Sequence, residues 1–552
     1  MSWSAVSLNR ILGILLCGLA AAAPLTAQDT AAATVAELIA TARAPWARWP
    51  DFAGYVDEVK RLYGPTYATT IWHDGPWLSP KGKAAIAALL TASEHGLDAR
   101  DYDAELLDGL ARRPASTPLS AVDRARFDVL LTVDLVRFLD DLRSGRLHRH
   151  LLLSSGATEP PFDLAAAITA ALAGDSLSRL ITGLAPRLAQ YRNLQRALTR
   201  LRQLARDTSL GPTPGSGPIL PGDMYPQIAG LRRLLVALGD LEPAAATAES
   251  PIYSGPDIDA IRRFQLRHGL HSTGAVDAAT MTELRTPLSW RARQIELALE
   301  RLKWLPPIGQ QPFLVVNIPA FQLFAFDSAG GTGAPALTMR VIVGKALDKQ
   351  TPVLLEMLRY VEFRPAWNVP RSILVEEIVP LLKTDPGYLH RNNMEIVGPR
   401  DRVMESVGLD DLVERLTRGE LRLRQRPGAA KPLGLTKFVF PNAANVYLHG
   451  TPGTELFAPA RRDFSHGCVR IEEPAALAAW VLRDQRRWPL ESILGAQRGK
   501  ATTQASLTRP MPVIVFYTTA VATPDGRLWF YPDVYGHDRK LDEALRAGPT
   551  SP

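Results

Sequence analysis

Two hydrophobic periods divide the chain. Up to about residue 305 apolar positions recur every three or four residues; from Pro312 they alternate with polar ones. In the first part Ala84, Leu89, Leu90 and Leu97, then Phe127, Leu130, Leu131, Leu135, Phe138 and Leu142, keep helical spacing. The turn HGLDARDYD, with Asp98 and Asp101, interrupts them. The pattern predicts a helical scaffold over 28–217 that carries no chemical motif. The stretch LGPTPGSGPILPG at 210–222, dense in Pro, Gly and Ser, marks a boundary. A small helical unit over 218–287 follows, with Ile258, Ile261 and Phe264 on one face and Gly269 and Gly274 suited to turns. Residues 288–309 open with an amphipathic connecting helix that buries Ile295, Leu299 and Leu302, and Pro306-Pro307 ends it.

The alternating part predicts strands at Leu314–Ile318, Phe321–Phe326, Met339–Val343, Tyr360–Phe363, Lys437–Phe440, Val446–His449, Val513–Thr519 and Leu528–Tyr531. Between about 370 and 435 the pattern turns helical or irregular again, as in SILVEEIVPLLK and LDDLVERL. That is expected of an insertion, about 372–434, capping a β domain that spans 310–545. The fold class is therefore multidomain α+β: helical scaffold, small helical module, β-rich domain with a capping insertion.

Length agrees, since 552 residues are long for one domain at about 100–200 residues each. The composition, 46% hydrophobic and 22% charged, excludes wholesale disorder. A net charge of +7 is spread along the chain, allows an anionic partner and points to no nucleic acid. Residues 1–27 read as a secretory signal peptide. Arg10 precedes the apolar run Ile11–Ala23, Pro24 breaks it, and Ala27 leaves a small residue before a cut at Gln28. The run is shorter than the ~20 residues of a spanning helix; an uncleaved membrane anchor is the alternative. The expected location is the periplasm.

Export changes the meaning of the cysteine count. The chain has two cysteines, and cleavage removes Cys17. Cys468 then stands alone in an oxidising compartment, where it is either buried and inert or used. Its surroundings are Val446-Tyr447-Leu448-His449-Gly450 and Phe464-Ser465-His466-Gly467-Cys468-Val469-Arg470-Ile471. On strands, Val446, Leu448, Val469 and Ile471 face the core, so Tyr447, His449, Cys468 and Arg470 face the other way. His466 joins them if the extended run continues through Gly467. A thiol becomes nucleophilic when a nearby His takes its proton, and His449 and His466 are both candidates. Main-chain N–H groups around Gly467-Cys468 suit an oxyanion, and Arg470 suits a carboxylate. A zinc site from His449, His466 and Cys468 is the rival reading and asks all three to converge. His148 and His150 in RLHRH read as a solvated basic stretch, and His73, His95, His268, His271, His390 and His537 as structural or solvated.

His449 followed by Ser465-His466-Gly467-Cys468 resembles the signature of the YkuD-type L,D-transpeptidases. VIVGKALDKQTP (341–352), FRPAWNVPRSI (363–373), LGLTKFVFPNAANVYLHGTP (433–452) and DVYGHD (533–538), with HGLDARDY and LRSGRL nearer the N-terminus, resemble the multidomain periplasmic YcbB-like branch. Phe264-Gln265, Gly269-Leu270, Asp277 and Thr280 resemble a peptidoglycan-binding repeat; a small helical spacer is the alternative.

The first resemblance implies that Cys468 is the nucleophile and His449 its base, oriented by the Gly450 carbonyl. It implies that Ser465, His466 and Gly467 frame the loop, that Tyr447 and Arg470 line the site, and that Trp367 borders the donor pocket. No cofactor or metal is implied. The implied substrates are peptidoglycan stem peptides and glycan, and the implied reaction is a 3→3 cross-link made through a cysteine thioester. The same acyl-enzyme would serve D-amino acid exchange, L,D-carboxypeptidase action or lipoprotein attachment, so wall-synthesis proteins or a lipoprotein are further partners to consider. Carbapenems are implied as acylating inhibitors. A non-catalytic wall-binding scaffold is the competing reading.

Overall fold

The computed structural model describes residues 27–548 except 66–69, 115, 117, 148–161, 175, 211–217, 331–332, 386, 406 and 429–430. The leader up to residue 26 with Cys17, the pair His148 and His150, and most of the 210–222 boundary lie outside the described residues. Among the described residues no helix is long and apolar enough to cross a membrane.

The scaffold is built around α1 (Ala121–Ser144), a helix apolar on nearly every side and therefore buried on nearly every side. The Ser120 hydroxyl accepts from the Asp123 N–H at 3.1 Å and caps its start. Within it the fully buried Asp128 carboxylate accepts from the Tyr63 hydroxyl (2.7 Å) and the N–H groups of Ile71 (2.8 Å) and Trp72 (2.9 Å). A buried carboxylate with that many donors ties a loop to the helix. Helix α2 (Ala189–Leu204) leads out of the scaffold.

The small module contains α3 (Pro256–Arg267) and α4 (Ala278–Arg285). Gln265 on α3 is fully buried and serves the turn between them. Its Nε2 donates to the Ala275 carbonyl (2.7 Å) and the Thr280 hydroxyl (2.9 Å), and its Oε1 accepts from the Gly274 N–H (2.9 Å). Gly274 has φ +81°, where a side chain is strained. The Asp277 carboxylate caps α4 by accepting from Thr280 N–H at 2.8 Å. Then α5 (Leu288–Lys303) packs Ile295, Leu299 and Leu302 against Leu194 and Leu198 of α2 and against Phe313, Ile514 and Phe516 of the β domain. Scaffold and β domain thus share one apolar cluster.

The β domain has one large sheet. Its strands are β1 (Phe313–Asn317), β2 (Gln322–Phe326), β3 (Leu337–Gly344), β4 (Leu354–Phe363), β5 (Thr436–Val439), β6 (Leu448–His449), β7 (Asp463–Ser465), β8 (Val469–Ile471) and β9 (Thr503–Phe516). Their order is β7-β3-β8-β6-β5-β4-β9-β1-β2, and β2 also pairs with β3. The sheet therefore closes into a ring. Leu314, Val316, Leu323, Val341, Phe438, Leu448, Val469 and Ile471 fill its inner face, joined by Leu477 and Ile493 from two short helices. A hairpin of β10 (Ala520–Ala522) and β11 (Leu528–Phe530) follows. His268 of the small module stacks between Phe264 (3.8 Å) and Phe530 of β11 (5.8 Å), which seats the module on the hairpin.

The structure differs from the periodicity in two places. The region read as helical or irregular after 370 contains a sheet of Trp367–Asn368, Arg422–Gln425, Met394–Val397 and Val403–Met404. Runs of two to four residues are too short for a period of two to register. Strands β4 and β9 also begin earlier than the alternation predicts, at Leu354 and Thr503. In β9 the register shifts between Ser506 and Met511, beside Pro510, which breaks the pattern by removing a ladder donor.

Replacing Gln265 by Leu keeps the volume but leaves the Gly274 N–H and Ala275 carbonyl unpaired, at a cost of about 1–3 kcal/mol for each orphaned group. Hydrogen exchange over Pro256–Arg285 is expected to accelerate, with protection of the β-domain strands unchanged.

Candidate active site

Strands β6 and β8 are parallel neighbours, with Leu448 beside Val469 and His449 beside Arg470. Leu448, Val469 and Ile471 belong to the inner cluster, so the pleat turns His449 and Arg470 outward. The Val469 N–H donates to the Tyr447 carbonyl at 3.1 Å and carries the pairing one residue back, bringing Tyr447 level with Cys468. Tyr447, His449, Cys468 and Arg470 form a patch on the outer wall of the ring. Strand β5 extends it: Lys437 pairs with His449 and, on its other side, with Glu362 of β4.

The loop before Cys468 is fixed by its own polar groups. The Ser465 hydroxyl donates to the Cys468 carbonyl (2.5 Å) and accepts from the Gly467 N–H (3.1 Å). Gly467 has φ +112°, a backbone conformation that side chains rarely adopt. Its carbonyl accepts from the Thr351 hydroxyl at 2.8 Å, and that hydroxyl accepts from the Gly344 N–H at 2.8 Å. The Tyr535 hydroxyl donates to the Gly344 carbonyl at 2.6 Å and continues the chain of bonds. A thiol approached from the outer wall is thus held by a loop anchored in β3.

His449 is buried, and its Nδ1 lies 2.6 Å from the Gly450 carbonyl oxygen. A carbonyl only accepts, so Nδ1 carries the proton and Nε2 is left with its lone pair. Burial draws the imidazole down to about 3, the Gly450 carbonyl opposes this, and Arg470 and Lys437 add to it. At neutral pH the ring is uncharged. Burial also pushes the Cys468 thiol up, against the Tyr447 backbone and hydroxyl and the positive charges of Lys437 and Arg470. The resting pair is a neutral imidazole and a neutral thiol. Lys437 sits with Nζ 3.9 Å from the Tyr447 ring centre, a contact worth about 0.5–2 kcal/mol.

The capping insertion meets this wall directly. Tyr447 packs against the insertion's own apolar cluster of Trp367, Val369, Leu374 and Leu433. Two contacts join the loops beside this wall to the helical turn Leu374–Ile378: His466 Nε2 lies 2.6 Å from a Glu377 carboxylate oxygen, and Lys349 Nζ forms an ion pair with Glu376 at 2.8 Å.

The structure brings together Tyr447, His449, Gly450, Ser465, Gly467, Cys468 and Arg470, and it corrects three expectations. His466 does not share the face of Cys468: the left-handed turn at Gly467 ends the extended run, and the ring pairs with Glu377. The Gly467 N–H already donates to Ser465, so the Cys468 N–H is the donor that remains for an oxyanion. Trp367 is buried in the core of the cap rather than set in an open pocket wall. Among the described residues no three side chains of His, Cys, Asp or Glu converge as metal ligands, which removes the geometry a zinc site from His449, His466 and Cys468 requires. Of the other histidines, His73 meets Asp128, His95 meets Tyr191, and His271 accepts from the Ala460 N–H.

Sequence reasoning missed Lys437, Glu362, Thr351 and Glu377. The alternation in TKFVF and YVEF carries a usable signal for the first two, because Phe438 and Val361 face inward. No local pattern marks Thr351 or Glu377, whose roles arise from contacts far apart in sequence.

Comparison with known proteins bears on both ends of the chain. Residues 57–198 match the family described as a scaffold domain, and residues 311–515 match the family YkuD, described as an L,D-transpeptidase catalytic domain. A Haemophilus influenzae protein provisionally named as an L,D-transpeptidase is 31% identical over 253 residues, which is 46% of this chain and 49% of that protein. The chain thus spans about half the length of the curated relative it matches.

With a neutral pair at rest, alkylation of Cys468 by iodoacetamide is expected to be slow near neutral pH and to climb above the ordinary thiol range of ~8.5. Lys437→Met and Arg470→Met each remove a positive charge and are expected to move the climb to higher pH. A rate already at its plateau near neutral pH would contradict the neutral pair.

Proposed function

We propose, because residues 311–515 match the family described as an L,D-transpeptidase catalytic domain, that this chain is a periplasmic L,D-transpeptidase that uses Cys468 to form 3→3 cross-links in peptidoglycan. The observation that carries the reading is the outer-wall patch, in which a neutral His449 with its Nδ1 proton held by Gly450 shares a face with Cys468.

The chemistry follows from that patch. The Cys468 sulfur attacks the carbonyl at the L-centre of diaminopimelate in a tetrapeptide donor stem while His449 takes the thiol proton. A carbon–sulfur bond forms, the carbon–nitrogen bond to the terminal D-alanine breaks, and the proton passes to the departing amine. The Cys468 N–H faces the developing oxyanion. The side-chain amine of a second diaminopimelate then attacks the thioester, forming the cross-link amide and releasing the thiol. Burial helps, because neither partner has to give up a hydrated charge before reaction. Lys437 and Arg470 stabilise negative charge as it grows on sulfur and draw in a stem carboxylate. The capping insertion, held by Glu376 and Glu377, excludes water so that an amine is the favoured acceptor. The leader at 1–27 supports export, and the small module over 218–287 supports a role close to the wall.

Two measurements check this reading. Cys468→Ala is expected to remove 3→3 dimers from muramidase digests of walls in a host lacking other such enzymes. Persistence at the unmutated level would sink the proposal, and products that form only with an added D-amino acid would redirect it to exchange. Intact mass measurement after carbapenem treatment is expected to show one covalent adduct on the unmutated chain and none on Cys468→Ala.

A further inference from the structure

The outer face of α2 carries one sign of charge. Its buried side is Leu194, Ala197, Leu198 and Leu201, which join the cluster shared by scaffold and β domain. Arg192, Arg196 and Arg200, at i, i+4 and i+8, lie one above another on the other side, and all three are exposed. They span about 12 Å along the helix axis. Thr199 and Gln203, also on this face, are exposed and uncharged. Arg187 and Arg206 stand exposed at its two ends. From Ser176 to Arg206 the chain has seven arginines and no Asp or Glu.

These charges are not balanced within the fold. Among the described residues Arg202, which meets Glu296 at 2.8 Å, is the one of the seven with an ion pair. Arg192 donates to the Arg187 carbonyl (3.1 Å), Arg196 to the Asn193 side-chain oxygen (2.6 Å) and Arg200 to the Ala237 carbonyl of the small module (3.0 Å). Neutral acceptors thus hold the guanidinium groups and leave their charge and most of their N–H donors for another partner. Asp207, the next acid along the chain, lies beyond the helix and accepts from the Ser209 N–H at 2.9 Å. Like charges at i, i+4 destabilise a helix, a cost that an anionic partner offsets. A guanidinium pairs with an oxyanion through two parallel bonds. A helix seated on lipid would also present large apolar side chains, yet none is exposed from Ser176 to Arg206. A narrow basic row suits a linear polymer that repeats its negative charges.

We propose that this row docks a peptidoglycan strand through the carboxylates of its stem peptides, apart from the site of Cys468. The identity of the polymer rests on the transpeptidase reading, to which the row adds a second contact. Each stem offers a carboxylate to a guanidinium, and the strand repeats it, so that several weak pairs act together. Because α2 packs against α5 and the β domain, a strand held there raises the concentration of stems near the thiol without taking part in the chemistry.

The test is co-sedimentation of the full mature chain with purified sacculi at low ionic strength, read as a dissociation constant. Arg192→Gln, Arg196→Gln and Arg200→Gln together are expected to weaken binding about ten-fold, the sum of three exposed charge pairs, and the difference is expected to vanish at high salt. Arg486→Gln, Lys500→Gln and Arg509→Gln together remove the same charge from exposed positions of the β domain and are expected to leave binding within about two-fold. Thr199→Glu with Gln203→Glu sets two acids inside the row, is expected to weaken binding as the first triple variant does, and decides the matter if that variant fails to fold. Sacculi whose stem carboxylates have been converted to amides are expected to lose the part of the binding that the row supplies. Carbapenem adduct formation is expected to be unchanged in the first triple variant, and Cys468→Ala is expected to bind sacculi as the unmutated chain does. A chain that binds through the row yet makes no 3→3 dimers would count against the transpeptidase reading and not against the docking. Unchanged affinity in the folded first triple variant, equal loss in the two triple variants, undiminished binding to amidated sacculi, or row-dependent binding to phosphatidylethanolamine–phosphatidylglycerol vesicles as tight as that to sacculi would each overturn the proposal.

Discussion

The site depends on the parallel pairing of β6 with β8. That pairing sets Leu448 beside Val469 in the filled interior of the ring, and a strand's period of two does the rest. Once those residues are inside, His449 and Arg470 must be outside, with Tyr447 and Cys468 one step behind. A slip of one residue in β8 would bury a thiol and an arginine and expose a valine and an isoleucine, and a slip in β6 would turn the His449 ring inward and expose a leucine. The inner cluster resists that slip, because its members come from nearly every strand and from two helices. The geometry of the candidate site and core stability are thus two faces of the same register.

The second layer is electrostatic and comes from the cap. A thiol and an imidazole on an open sheet face would be hydrated and would keep ordinary proton affinities. Here Tyr447 reaches into the apolar cluster of the insertion and both groups are desolvated, which moves the imidazole down and the thiol up. The Gly450 carbonyl matters because it sets the tautomer without adding a charge. A carboxylate in its place would raise the imidazole's proton affinity and favour an ion pair at rest. The contacts of Glu376 with Lys349 and of Glu377 with His466 hold the cap against this wall. Both are partly exposed, so each contributes modestly.

How much of this was legible in the chain depends on distance along it. The change of period at Pro312 separates helical from β-rich regions because each period reports which side of an element meets its own core. The outward face of Tyr447, His449, Cys468 and Arg470 follows from the same local rule, whereas the Gln265 and Asp277 positions that organise the α3–α4 turn were marked by the resemblance to a peptidoglycan-binding repeat. The short strands of the cap escaped because two to four residues do not establish a period. The turn at Gly467, which sends His466 to Glu377, escaped because an extended reading assumes that no residue takes a positive φ.

The sequence by itself therefore determined the order of elements, their inward faces, and the residue types gathered around one thiol. Tertiary structure decided the rest: that Thr351 clamps the cysteine loop, that Lys437 and Glu362 join the patch, and that the pair at its centre is neutral. The physical reason is common to all three. Periodicity encodes a side chain's direction relative to its own backbone. Its partners and its loss of water depend on what the folded chain brings against it from elsewhere.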